Sequence, residues 1–275
     1  MADWNKLTSR GNVDDRRSFG PTAVGGGLGI TGVVVYLVFT LLTGGKVDPA
    51  TVLNQLQNTQ VQQQSISIEQ FNGKDSYEVF VSTVLGSNND MWKSIFAQNN
   101  ITYHEPKLVL FRGSTNSACG GAQSYEGPHY CPNDNTVYLD ETFFDELTTR
   151  LGAQGGDVAQ AYVIAHEVGH HAQNELGIMD KADPRLNADS VKLELQADCF
   201  SGLWLNSIKD RGVFTASEVG EAVDAAKAVG DDRIQKATTG HVNPEQWTHG
   251  SSAERTDWLN RGYTSGALSS CDTFK

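Results

Sequence analysis

The longest uncharged stretch lies near the start of the chain. No charged residue occurs between Arg17 and Lys46; within that window Ile30 to Leu42 is strongly apolar, and Ala23 to Gly32 is apolar but glycine-rich. The run is long enough to cross a bilayer core, which takes about 20 residues. Lys6, Arg10, Arg16 and Arg17 precede it and only Lys46 follows closely, so the positive-inside rule predicts a cytoplasmic N-terminus and an extracytoplasmic remainder. A cleaved signal peptide needs a shorter apolar core and a small-residue cleavage site; none follows Leu42, which favours an uncleaved signal anchor. Residues 1–21 then read as a cytoplasmic tail, 22–44 as one transmembrane helix and 45–64 as a polar, Gln-rich stalk. The globular domain is expected over 65–275.

Within that domain, Tyr77 to Leu85 and Met91 to Ala97 place apolar residues at helical spacing. Leu108 to Phe111 and Thr136 to Leu139 are short apolar or β-branched runs that predict strands. A helix is expected from Asp140 through Leu147. Another follows Gly155 and Gly156, with Asp157 as its cap, and a third spans about Asp189 to Asn206. Thr215-x-x-Glu218 and Ser251-x-x-Glu254 each read as a capping box opening a helix. The balance predicts a helix-rich α+β domain with a small sheet.

The formal net charge of -12 argues against a nucleic-acid partner, which calls for clustered Lys and Arg. None of the four cysteines forms a C-x-x-C pair. Cys119 and Cys131 bracket a Gly-rich loop, which predicts a disulfide if the domain lies outside the cytoplasm; two buried thiols are the other reading. Cys199 and Cys271 are a second candidate pair, though four cysteines allow three pairings.

Residues 166–171 read HEVGHH. His166 and His170, four apart on a helix, share one face and can share one cation. Glu167 follows the first of them and can approach a water at that site as general base. Gly169 in mid-helix points to close packing by another element, since glycine there costs about 1 kcal/mol; His171 points elsewhere and is expected to pack or to support the site from behind the ligands, not to be a ligand itself. Residues 193–199 read LELQADC. Glu194 can complete a His/His/Glu shell for zinc, and Asp198, one turn on, can accept the free N–H of a ligand histidine. His249 is the first candidate for stabilising the oxyanion, followed by His241 and Arg255. Leu108 to Phe111 is the candidate strand for pairing with an extended substrate.

These segments, with CGGAQSYEGPHYCP (119–132), VYLD (137–140), AYVIAHEVGHHAQ (161–173), GDDRIQ (230–235) and THGSSAER (248–255), resemble the bacterial neutral zinc metallopeptidase family, whose members are membrane-anchored and gluzincin-like. The resemblance covers most of the chain. It implies a zincin-like domain, Zn2+ at His166, His170 and Glu194, and catalysis by Glu167 on a peptide or protein substrate. Two other classes are open: a zinc hydrolase acting on a non-protein amide such as a cell-wall crosslink, and a membrane-tethered binding protein whose zinc is structural.

Overall fold

Two short strands expected from the sequence form the centre of a four-stranded sheet. In the computed structural model, which describes residues 1–17, 75–123, 127–183 and 185–275, β1 (Asn12–Asp15), β2 (Lys107–Phe111), β6 (Thr136–Asp140) and β5 (His129–Cys131) lie in the order β1-β2-β6-β5. β2 is parallel to β1 and β6, and β5 is antiparallel to β6. β2 and β6 are covered on both faces, which is why they read as continuous apolar runs and not as alternating ones. Leu108, Leu110, Val137 and Leu139 face the main core. Val109, Phe111 and Tyr138 face a smaller cluster with Ala122 and Cys131, beneath the separate hairpin of β3 (Ser114–Ser117) and β4 (Gly120–Gln123). The Cys119–Cys131 disulfide ties that hairpin region to β5.

Seven helices are described: α1 (Ser76–Gln98), α2 (Phe143–Thr149), α3 (Asp157–Glu175), α4 (Asn187–Ile208), α5 (Val219–Ala228), α6 (Asp231–Thr239) and α7 (Ser252–Ser265). The main core joins Trp92 and Phe96 of α1, Tyr162 and Ile164 of α3, and Phe200 and Trp204 of α4. α7 lies directly on α4. A Cβ on Gly262 would sit 1.9 Å from the Cys199 carbonyl oxygen, so only glycine permits this backbone approach. The Cys199–Cys271 disulfide fixes the chain beyond α7 to the same helix.

The helix-rich α+β expectation is met. The expected transmembrane helix, residues 22–44, and stalk, 45–64, lie outside the described residues; among the described ones no helix is long and apolar enough to cross a membrane. Several boundaries differ from expectation. Asp140 ends β6, and its carboxylate accepts from the Thr142 N–H and hydroxyl, so α2 starts at Phe143. Gly156, not Asp157, caps α3. The Thr215–Glu218 contacts form one turn before α5 begins, whereas the Ser251–Glu254 capping box opens α7 as read. Residues 1–17, read as part of a tail outside the domain, belong to its compact unit: β1 is a strand of the sheet and Leu7 is 1% exposed. Asn-Val-Asp-Asp carries too little apolar signal to announce a strand; pairing with β2 creates it.

Candidate metal centre

α3 and α4 carry the candidate ligands face to face. Their separation is set by Gly169, whose Cβ position would lie 3.2 Å from the Ala197 backbone, so the close packing expected from a mid-helix glycine is realised. Across this contact His166 Nε2 faces Glu194 Oε2 at 3.1 Å and His170 Nε2 faces Glu194 Oε1 at 3.3 Å. Ligand atoms of these three residues lie within 4.8 Å of one another, and the group could hold a metal ion.

The other ring nitrogens are committed. His166 Nδ1–H donates to Asp198 Oδ1 at 2.9 Å, as the sequence spacing suggested. His170 Nδ1–H donates to Gln173 Oε1 at 2.9 Å, while Gln173 Nε2 donates to Leu193 O at 2.7 Å. Each bond fixes the tautomer that leaves Nε2 free to face Glu194. Gln173 escaped the sequence reading, although its i+3 spacing from His170 is a usable signal.

Asp198, 0% exposed, has two further partners that sequence did not join to it. Tyr162 donates its hydroxyl at 2.5 Å. Arg255 of α7 donates Nε at 2.8 Å and Nη2 at 3.0 Å in a two-pronged contact. Arg255 also lies 3.8 Å from Glu194 Oε2. It is therefore buried in support of the site, and its guanidinium is occupied by Asp198.

Burial alone would lower the His166 pKa, but Asp198 and Glu194 outweigh it and hold the group up at about 10; Glu194 raises His170 in the same way. Glu194 and Asp198 are held below ordinary carboxylate values against the burial that would raise them. The field of the pocket favours positive charge, as protons on the imidazoles or as a cation between them. Two imidazole nitrogens and a carboxylate suit zinc, with three protein ligands leaving an open position.

Glu167 is buried beside this group, and its Oε2 has no hydrogen-bond partner among the described residues. It lines a cleft of about 620 Å³ together with His166, His170, Glu194 and His249. An unpartnered buried carboxylate oxygen in a cleft is what a base awaiting a water requires.

His249 stands at the cleft, half exposed, with its backbone N–H donating to Asp231 Oδ2 at 2.7 Å and its ring 3.2 Å from Asp231 Oδ1. Asp231 also accepts from the N–H groups of Thr248 and Gly250. Burial would raise Asp231, but His249 and these backbone donors hold its pKa down. Asp232 accepts from the N–H and hydroxyl of Ser252. The GDDRIQ and THGSSAER segments thus dock onto each other and present His249 and Arg255. His241 is exposed and does not line the cleft. His171 is a packing residue as expected: Nε2–H donates to His104 O at 2.6 Å and Nδ1 meets the Tyr130 hydroxyl at 3.0 Å.

Leu108 to Phe111, the expected substrate strand, is an inner strand with both edges paired. The sheet edge at the cleft is β5, represented there by His129 and Tyr130.

A profile of the family described as "Putative neutral zinc metallopeptidase" matches residues 2–274. The chain is similar to "Uncharacterized protein YpfJ" of Escherichia coli K12, 41% identical over 284 residues and 98% of each chain. It is also similar to "Uncharacterized protein Rv2575" of Mycobacterium tuberculosis H37Rv, 44% identical over 185 residues, 62% of this chain and 63% of the relative. No solved structure matches it.

Proposed function

This chain belongs to the neutral zinc metallopeptidase family, whose cofactor is Zn2+, and from that premise we propose that it is a metalloendopeptidase with His166, His170 and Glu194 as zinc ligands and Glu167 as general base. The convergence of the two imidazole Nε2 atoms on Glu194, beside the unpartnered Glu167 oxygen, carries the reading. Zinc held there supplies a Lewis acid that polarises a carbonyl and acidifies water near neutral pH.

The remaining work belongs to the chain. Glu167 takes a proton from the attacking water at its carboxylate and delivers it to the leaving amine. Asp198 and Gln173 hold the ligand histidines in one tautomer. His249 is the candidate donor to the oxyanion. An extended peptide has a natural seat along β5, whose outer edge pairs with no other strand among the described residues and offers main-chain hydrogen bonds at the cleft. That edge favours a peptide over a compact amide. Both disulfides, Cys119–Cys131 and Cys199–Cys271, support work in an oxidising compartment.

The test is digestion of a peptide library by the purified full chain, with and without chelator, beside Glu167→Gln. The variant is expected to keep its zinc by elemental analysis and to lose at least about a hundredfold in rate. Near-normal turnover by Glu167→Gln would remove Glu167 from the role of base.

A further inference from the structure

The first 17 residues are bound into the catalytic unit along their length. The Asp3 N–H donates to Val213 O at 2.6 Å. The Trp4 indole N–H donates to Asp157 Oδ2 at 2.9 Å, in the first turn of the helix that carries His166, and its ring stacks toward Trp204. Gly11 exchanges hydrogen bonds with Ser82 of α1, at 2.7 Å through its N–H and 2.8 Å through its carbonyl. β1 then pairs with β2 from Asn12↔Lys107 to Asp15↔Leu110.

The segment ends in a clasp. The Arg17 side chain is 7% exposed and forms ion pairs with Asp15 at 2.5 Å, Asp75 at 2.9 Å and Glu141 at 2.6 Å. Asp75 is the N-cap of α1 and also accepts the Glu78 N–H. The clasp therefore holds Arg17 and Asp75, the described residues on either side of 18–74, in direct contact.

We propose that residues 1–17 and the domain bearing His166 and Glu167 lie on one and the same side of any membrane the protein meets, the N-terminal segment being an integral part of that domain. A single crossing would place Arg17 and Asp75 on opposite faces of a hydrocarbon layer about 30 Å thick, and no ion pair or strand pair spans that distance. It would also leave the β2 edge and the Leu7 pocket without their partners. The basic residues behind the positive-inside reading have other work in the fold. Lys6 donates to Gly212 O, Arg10 to Leu7 O and Arg16 to Asp14, while Arg17 is neutralised in the clasp.

Single substitutions at exposed sites test this on the full chain in cells. Asn5→Cys marks the first segment and Gln98→Cys marks α1; both positions are exposed, and in the folded protein the native cysteines are all bonded. A membrane-impermeant maleimide is expected to reach both sites in intact spheroplasts, or both only after lysis. Labelling of one before lysis and the other only after it overturns the proposal. Independently, Asn12→Cys with Lys107→Cys, register partners in β1 and β2, is expected to form an intramolecular disulfide in the full chain on mild oxidation. Failure to form it while both single cysteines react freely with maleimide also overturns it.

Discussion

Asp198 shows how much a single side chain can be asked to hold. It is fully buried and accepts from His166, Tyr162 and Arg255 at once. A buried carboxylate is unfavourable unless paired and fully hydrogen-bonded, so the orientation of the candidate ligand His166 depends on a guanidinium that lies 57 residues from Asp198 in sequence. Replacing Arg255 by Lys keeps the charge and removes the fork geometry. Zinc affinity, measured by chelator competition, is expected to fall about 10- to 100-fold, as for other partners that orient metal ligands. An unchanged affinity would reduce Arg255 to a packing role. Glu194→Ala removes the carboxylate on which both imidazoles converge, and elemental analysis is expected to show the zinc lost; full occupancy would reject Glu194 as the third ligand.

Elements meet here through glycine and through charge. α7 reaches α4 only because Gly262 has no side chain against the Cys199 carbonyl. Gly262→Ala is expected to destabilise by about 1–3 kcal/mol or more through overpacking, and to weaken zinc binding as well, because the displaced helix carries Arg255. Thermal unfolding beside chelator competition separates the two effects; a fall in stability with intact zinc affinity would uncouple α7 from the site. The clasp is the second case. Burial would raise Asp15 and Asp75, but Arg17 and backbone donors hold both below their ordinary values. A depressed carboxylate contributes stability above its unfolded pKa and loses it as pH falls through the folded value. Arg17→Ala is therefore expected to cost roughly 1.5–3 kcal/mol at neutral pH, with the gap to the parent protein closing below about pH 4. Urea unfolding across that range measures it, and a gap independent of pH would show that the ion pairs are not its source.

At the scale of the molecule, zinc held at His166, His170 and Glu194 would join α3 to α4 and so link metal binding to folding. At a thousandfold excess over its dissociation constant, such a ligand stabilises by about 4 kcal/mol. Chelation is expected to lower the unfolding temperature, and graded zinc to restore it; an unfolding temperature insensitive to both would separate the metal from the fold. Two kinds of information built this chain. The sequence by itself pointed out the candidate ligand histidines, Glu167, the Glu194 and Asp198 pair, the Ser251 capping box and the helix-rich balance. Each rests on contacts within one or two helical turns, where spacing fixes which side chains share a face. Tertiary structure alone decided that Arg255 and Tyr162 complete Asp198, that Asp231 holds the His249 loop, that β5 and not β2 is the edge at the cleft, and that residues 1–17 belong to the compact unit that carries the candidate metal centre. Those outcomes join residues tens of positions apart. Strand order and buried polar partners are settled only when the elements pack, because the free energy that selects them is the cost of leaving an edge, a charge or an apolar face without its complement.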